Sequence, residues 1–178
     1  MKKILFTLAL LISFSSFGQT SAQYFKSGFD KFEAKDYYGA IADYTKAIEL
    51  NPNGDGSYYN RGLSKANLND YYGAIADFTK AIELNPNGDS YYNRGMSKAD
   101  LNDHYGAIAD YTKAIELDPK YYEAYNNRGN SKGKLKDYYG AIADYTKAIE
   151  LDPNYRNAYT NRGINKENLG DLNGACAD

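Results

Sequence analysis

From residue 36 onward, apolar and polar positions alternate in blocks that suit helices. In the first block the apolar residues recur at the spacing of one helix face: Ala40, Ile41, Tyr44, Ala47, Ile48 and Leu50. Asp36 stands where an N-cap belongs, and no Glu or Gln follows three residues later, which predicts a simple cap. Asn51-Pro52 follows, and proline cannot continue a helix. The pattern therefore predicts a helix between Asp36 and Asn51.

This block is repeated along the chain. It begins again at Asp70, Asp103 and Asp137, and a last copy starts at Asp171, so the steps are 34, 33, 34 and 34 residues. All prolines fall in one position of the repeat: Pro52, Pro86, Pro119 and Pro153. A fixed period of this length indicates a solenoid of stacked supersecondary units.

A second helix is predicted between consecutive blocks, roughly from Tyr58 to Leu68 in the second unit. Gly62 lies inside it. Since glycine in a helix interior costs about 1 kcal/mol, we expect two backbones to approach closely at this residue. Each unit is thus predicted to be a pair of helices.

The repeat resembles the tetratricopeptide repeat family, in an exported bacterial type with Asn-Arg-Gly repeats. In the fourth unit the matching residues are Tyr125, Gly129, Tyr138, Ala141, Tyr145, Ala148 and Pro153. The resemblance implies an all-α, right-handed α-solenoid of about five helix-turn-helix units. We place the units at residues 21–54, 55–87, 88–121, 122–155 and 156–178, the last truncated. It also implies a non-catalytic scaffold that binds a protein or peptide.

In the family, the first helices line the groove that binds a peptide. The resemblance therefore implies these groove residues: Tyr59, Asn60, Leu63, Tyr92, Asn93, Met96, Asn126, Asn127, Asn130 and Asn161. Asn60, Asn93, Asn127 and Asn161 form what we call the Asn column. Asn amides both donate and accept, so the column suits the backbone of an extended peptide. The alternative, that Asn is an ordinary feature of this repeat, stays open.

A basic pair departs from the family pattern in the first helices. Arg and Lys stand four residues apart, on one helix face, as Arg61/Lys65, Arg94/Lys98, Arg128/Lys132 and Arg162/Lys166. An Asp accompanies each pair in the second helix, at 77, 110, 144 and 178. One hypothesis is a basic stripe for an anionic ligand. The equal number of Asp residues favours the other, an internal polar ladder that fixes the register between units.

The N-terminus has the pattern of a secretory signal peptide. Lys2 and Lys3 precede a mostly apolar run from Ile4 to Phe14, followed by small residues. We predict a signal peptide at residues 1–18, with cleavage as late as residue 22. The alternative is a membrane anchor, but the run is shorter than the about 20 residues that span a bilayer. The mature chain would then be periplasmic or secreted.

The composition excludes several classes of function. One His and one Cys cannot form a His/Cys metal cluster within a chain, and no metal or cofactor is expected. The net charge of −2 does not suit a nucleic-acid binder, and no membrane insertion of the mature chain is expected.

The chain stops within a predicted helix, which leaves Leu169, Leu172 and Ala175 uncovered. Two alternatives to a peptide-binding scaffold therefore remain. One is a structural envelope scaffold that self-associates end to end through this open end. The other is a targeting module of a longer protein.

Overall fold

The computed structural model describes residues 19–178, which form ten α-helices and no strand. In chain order the helices are α1 Ser21–Glu33, α2 Tyr37–Leu50, α3 Asp55–Asn67, α4 Tyr71–Leu84, α5 Gly88–Asp100, α6 His104–Leu117, α7 Tyr122–Lys134, α8 Tyr138–Leu151, α9 Arg156–Asn168 and α10 Leu172–Cys176. The all-α stack of helix pairs is confirmed. The predicted signal peptide lies outside the described residues. None of these ten helices is both long and apolar enough to cross a bilayer.

The second helix of each unit begins and ends as its sequence predicts. The Asp36 side chain accepts a hydrogen bond of 3.0 Å from the backbone N–H of Gly39 and so caps α2. The same bond occurs at Asp70, Asp103, Asp137 and Asp171. The helix ends at Leu50, immediately before Asn51-Pro52. Local sequence therefore sets both ends of this helix.

The first helix of the second unit begins three residues before the predicted start. It runs from Asp55 to Asn67 and not from Tyr58. Gly54 at its N-cap supplies no side-chain hydrogen bond. Two other interactions stabilise the extra turn: Asp55 suits the positive end of the helix, and its carboxylate accepts a 2.8 Å hydrogen bond from the Asn85 amide. The second interaction is a tertiary contact, which local sequence does not reveal.

In each of the first four units an aromatic side chain of the second helix packs on a glycine of the first. A Cβ atom at Gly62 would lie 2.8 Å from the Phe78 ring, and one at Gly129 would lie 2.8 Å from the Tyr145 ring. The expectation of a close backbone approach at Gly62 was therefore wrong, because a ring fills that space. Alanines of the second helices complete the buried layer: Ala40, Ala47, Ala74, Ala81, Ala107, Ala114, Ala141 and Ala148.

The first helices lie on the inner side of the stack. Successive first helices contact each other, as α3 does α5 and α5 does α7, in addition to the contacts between consecutive helices. Between residues 19 and 178 no such contact joins two second helices. The stack therefore curves toward the first helices, and their exposed face forms a concave surface.

The buried tyrosines provide a test of this core. The Tyr44 hydroxyl is buried without a hydrogen-bond partner in the described chain, and Phe78 occupies the same position in the next unit. Tyr44→Phe should raise the free energy of unfolding by about 1 kcal/mol, since it removes an unsatisfied polar group. The Tyr145 hydroxyl donates a 2.9 Å hydrogen bond to Asn130, so Tyr145→Phe should lower it by about 1 kcal/mol.

Urea unfolding of both variants against the natural chain measures the difference. Changes of the same sign in the two variants would contradict this account of the core.

Candidate functional site

A buried carboxylate joins the two helices of each unit. Arg128 of α7 donates two hydrogen bonds to Asp144 of α8, at 2.9 and 2.7 Å, and Lys132 Nζ lies 2.8 Å from the same carboxylate. Asp144 is 5% exposed. The other members of this Arg–Asp–Lys network are Arg61/Asp77/Lys65, Arg94/Asp110/Lys98 and Arg162/Asp178/Lys166. Each Arg pairs with the Asp of its own unit.

The same arginines also connect neighbouring units. Arg128 Nη1 donates a 3.1 Å hydrogen bond to the Thr112 hydroxyl, which belongs to the preceding unit. Arg61, Arg94 and Arg162 donate to Thr45, Thr79 and Thr146 in the same way. The guanidinium carbon of Arg128 lies 5.4 Å from the centroid of the Tyr125 ring, within the range of a cation–π contact. Each arginine thereby fixes the register of two units.

The first unit lacks the arginine but keeps the carboxylate. Ser27 stands in its place and donates a 2.6 Å hydrogen bond to Asp43, while Lys31 Nζ lies 2.7 Å from that side chain. Burial would raise the pKa of Asp43, but the hydrogen bonds from Lys31 and Ser27 outweigh it and hold the pKa below its usual range. The structure thus confirms the internal polar ladder. The arginines of the basic stripe pair with aspartates inside the protein, which argues against a site for an anionic ligand there.

Three cavities lie in a row along the concave face, at the junctions of α3 with α5, of α5 with α7 and of α7 with α9. The first, between α3 and α5, has a volume of about 210 Å³ and is lined by Leu63, Tyr71, Asn93 and Met96, among others. The second, between α5 and α7, holds about 240 Å³, and the third, between α7 and α9, about 480 Å³. Together they form what we call the inner groove.

Six of the ten predicted groove residues line these cavities: Leu63, Met96, Asn130, Asn93, Asn127 and Asn161. Met96 lines both the first and the second cavity and is 38% exposed. Asn130 lines both the second and the third. The structure therefore brings these side chains to one continuous surface, and their role in binding stays a prediction.

The other four predicted residues lie between helices. Tyr59 and Tyr92 are half-buried, and their rings pack against Phe78 and Tyr111. Asn126 is 3% exposed and offers little surface to a ligand. Asn60 donates to the Gly56 carbonyl of its own helix at 2.8 Å.

The Asn column forms hydrogen bonds between units. Asn93 donates to the Tyr59 hydroxyl at 3.1 Å, and Asn127 donates to the Tyr92 hydroxyl at 2.9 Å. Asn161 donates to Asn126 at 3.2 Å. Burial raises the pKa of Tyr92 to about 12, so this hydroxyl is neutral at physiological pH. The column therefore has a structural part in the stack, whatever it offers to a ligand.

One set of groove residues was not predicted from the sequence. Asn67, Asp100, Lys134 and Asn168 occupy the same position of successive units and line the cavities. So do Tyr71, His104 and Tyr138 at the start of the second helices. The variation between repeats could have indicated these residues. These positions change from unit to unit, whereas the neighbouring Arg and Lys of the Arg–Asp–Lys network do not.

The described residues contain no group of three or more His, Cys, Asp or Glu side chains that could hold a metal ion. The Ser97 hydroxyl, which lines the first cavity, donates to the Asn93 carbonyl of its own helix at 3.0 Å. His104 lines the second cavity, and its Nδ1 atom is buried without a hydrogen-bond partner in the described chain.

Helix pairs stacked with one concave face define the molecule as an α-solenoid of helix-turn-helix repeats. The tetratricopeptide repeat profile matches residues 57–87, 88–121 and 122–155, and a second profile of the same description matches residues 31–53. These matches cover more than half of the chain, which therefore belongs to the tetratricopeptide repeat family.

Solved structures share this fold. The crystal structure of MamA superposes with a TM-score of 0.84 at 25% identity, over 88% of this chain and 86% of that chain. MamA from Desulfovibrio magneticus RS-1, from residue 41 to its end, gives 0.85 at 20% identity, over 90% and 91%. YrrB, described as a TPR protein with an unusual peptide-binding site, gives 0.77 at 23% identity, over 88% and 81%. A comparison with curated protein sequences found no match.

The Arg–Asp–Lys network predicts a large loss of stability on substitution of its arginine. Arg128→Leu leaves Asp144 buried with Lys132 alone and removes the hydrogen bond to Thr112, so the free energy of unfolding should fall by about 3 kcal/mol. Lys147→Ala, which breaks the exposed pair with Glu150, serves as the control and should leave it unchanged. Chemical denaturation measures both. Equal effects of the two substitutions would rule out a structural role for the network.

Proposed function

We propose that the chain is a non-catalytic scaffold that binds an extended polypeptide segment of a partner protein along the inner groove. The observation that carries the proposal is the row of three open cavities on the concave face. An extended chain rises about 3.3 Å per residue, so a segment of a dozen residues spans about 40 Å and can follow several units. A row of connected, shallow cavities suits such a segment better than a compact ligand.

The chemistry of the groove supports a polypeptide. Leu63 and Met96 provide apolar surface, and Met adapts to ligands of different shape. The Asn67 and Asn168 amides each donate within their own helices, to Leu63 and Ile164, and their carbonyl oxygens take no hydrogen bond from residues 19–178. Such oxygens can accept from the N–H groups of an extended backbone. The peptide-binding site for which YrrB is described supports the same assignment.

The internal use of the arginines argues against a nucleic-acid ligand. Single-strand binders need a cationic groove beside their aromatic side chains. Here the four arginines at positions 61, 94, 128 and 162 all pair with buried aspartates, and Lys134 is the one cation that lines the three described cavities. A protein partner therefore fits the groove better than a polynucleotide.

Self-association remains a second proposal for the surface formed by α9 and α10. Leu169 and Leu172 are 37% and 62% exposed there, and Leu172 lines a cavity together with Ile164 and Ala175. Apolar side chains grouped at a surface can mark an interface. Light scattering on the folded chain tests the idea, since a monomer at all concentrations removes it.

We further propose that the protein is exported after removal of its first 18 residues. The support is the cationic start, apolar run and small-residue segment of the sequence. Mass spectrometry of the protein purified from a bacterial envelope fraction should give Gln19 as the N-terminus, or Gln23 for the later cleavage. An intact Met1 in the exported fraction, or retention of the whole chain in the cytoplasm, would refute export by this signal.

A peptide-display selection tests the groove. Random peptides of about 12 residues, selected on the immobilised protein, should give binders whose affinity is measured by fluorescence anisotropy. Met96→Glu places a charge on the wall shared by the first and second cavities and should weaken these binders at least about tenfold. Tyr105→Glu is the matched control, because Tyr105 is 77% exposed and lines none of the three cavities.

The control variant should bind as the natural chain does. Failure to select any peptide, or equal affinity of all three proteins, would exclude the inner groove as a peptide site.

A further inference from the structure

The units of this protein are near copies of one another in their second helices, and they differ along the inner groove and near the junctions between units. The second helices are identical over residues 39–50, 73–84, 106–117 and 140–151, apart from Phe78 in place of Tyr. The Arg–Asp–Lys network is also repeated without change from the second unit onward. Within the second half of the first helices, the positions that differ include ones that line the three cavities, such as Leu63/Met96/Asn130 and Asn67/Asp100/Lys134. Variation there alters the ligand surface and leaves the packing intact.

The chemistry of the groove changes in a definite order along the stack. The first cavity has Leu63 and Met96 as apolar walls, and Asp100 of α5 lines both this cavity and the second. The second contains a carboxylate from α5, Asp100, and an ammonium from α7, Lys134. The third is lined by Asn130, Asn161, Asn165 and Asn168 beside Lys134 and contains no carboxylate. From α3 to α9, the surface of the groove is first apolar, then acidic, then basic and finally rich in amides.

The two groove charges have no partner within the described chain. Lys98 and Lys132, on the same helices, lie 2.7 and 2.8 Å from Asp110 and Asp144, but neither Asp100 nor Lys134 has an opposite charge within 4.0 Å among residues 19–178. Partial enclosure raises the pKa of Asp100, because desolvation disfavours its charged form. A cationic group of a ligand placed beside Asp100 would stabilise its carboxylate by charge attraction, and an anionic group would pair with the Lys134 ammonium.

The third cavity adds a buried polar atom that lacks a partner. Asn165 is 7% exposed, and its Oδ1 atom has no hydrogen-bond donor in the described chain. Its amide nitrogen donates to the Asn161 carbonyl at 2.8 Å. Serine occupies this position in the three preceding units, as Ser64, Ser97 and Ser131. The Asn165 oxygen therefore suits a donor supplied from the cavity.

We propose that the inner groove selects a partner segment by the order of its side chains: an apolar residue between α3 and α5, a basic residue beside Asp100, an acidic residue beside Lys134, and a polar residue with an N–H or O–H donor between α7 and α9. This inference rests on the proposed function and names the chemistry of the partner. Complementary charge specifies the register of the segment as well as its identity, since a shift by one unit places like charges together.

A charge-exchanged protein tests the order. The display library of the previous section is selected on the natural chain and on Asp100→Lys/Lys134→Asp, which has the same net charge. The natural chain should select peptides in which the apolar residue lies on the basic side of a basic–acidic pair, in either chain direction. The exchanged protein should select peptides with the two charges reversed.

Two synthetic peptides, one consensus and one with its charges exchanged, should show a preference of about tenfold that inverts between the two proteins. Lys147→Glu/Glu150→Lys, an exchange of an exposed pair on α8 outside the three described cavities, is the matched control and should keep the preference of the natural chain.

A neutral variant controls for a folding defect in the charge-exchanged protein. Asp100→Asn/Lys134→Gln should keep its helical circular dichroism and bind both synthetic peptides equally. The same peptides selected by the natural and the exchanged protein would overturn the charge order and leave the proposed function intact. The absence of any selected peptide on the natural chain would overturn both.

Discussion

One buried aspartate in each unit from the second onward holds this solenoid together. Its carboxylate is removed from water, where an unpaired charge would be strongly destabilising, and it survives there because an arginine and a lysine of the facing helix saturate it. The arginine has a second function, since its remaining N–H reaches a threonine of the preceding unit. A single network therefore connects helix to helix and unit to unit. In a structure whose units touch only their neighbours, stability depends on such interfaces.

The same network determines what is left for function. Because the arginines at positions 61, 94, 128 and 162 and the lysines four residues after them turn inward to the aspartates, the concave face is not a cationic surface, in spite of its Arg and Lys content. The Asn column is partly engaged as well, through hydrogen bonds to tyrosines of the preceding unit. The side chains that remain available are the variable ones, from Leu63 and Met96 through Asp100 and Lys134 to the amides beside Asn165. Constant positions build the scaffold, and variable positions give the groove its chemistry.

Much of the fold was predictable because its determinants are local or periodic. The Asp caps, the Asn-Pro or Asp-Pro stops and the 34-residue period act through neighbouring residues, and the structure confirms them. The Arg–Asp pairing was predictable because the two residue types recur together. The start of α3 and the role of Gly62 were not predictable. Asp55 contacts Asn85 and Gly62 contacts Phe78, and both partners lie far along the chain.

The candidate site was less predictable than the fold. Family resemblance indicated the inner helices, and six of the ten named residues line the cavities. It could not show that Asn126 is buried or that Tyr59 and Tyr92 pack between helices, because burial depends on how far successive first helices approach each other. The positions of Asp100 and Lys134 became meaningful only when the stack placed them in one cavity.

The amino-acid sequence by itself determined the helices, their pairing into repeated units and the pairing of Arg with Asp residues, since these depend on short spacings and on the pattern of residue types. Only the tertiary structure decided which polar groups face each other across a unit boundary and which face the groove. The reason is geometric: the angle and distance between stacked units bring together residues some 34 positions apart, such as Asn93 and Tyr59. A small change in that stacking would exchange the residues that bind a ligand for those that bind the neighbouring unit.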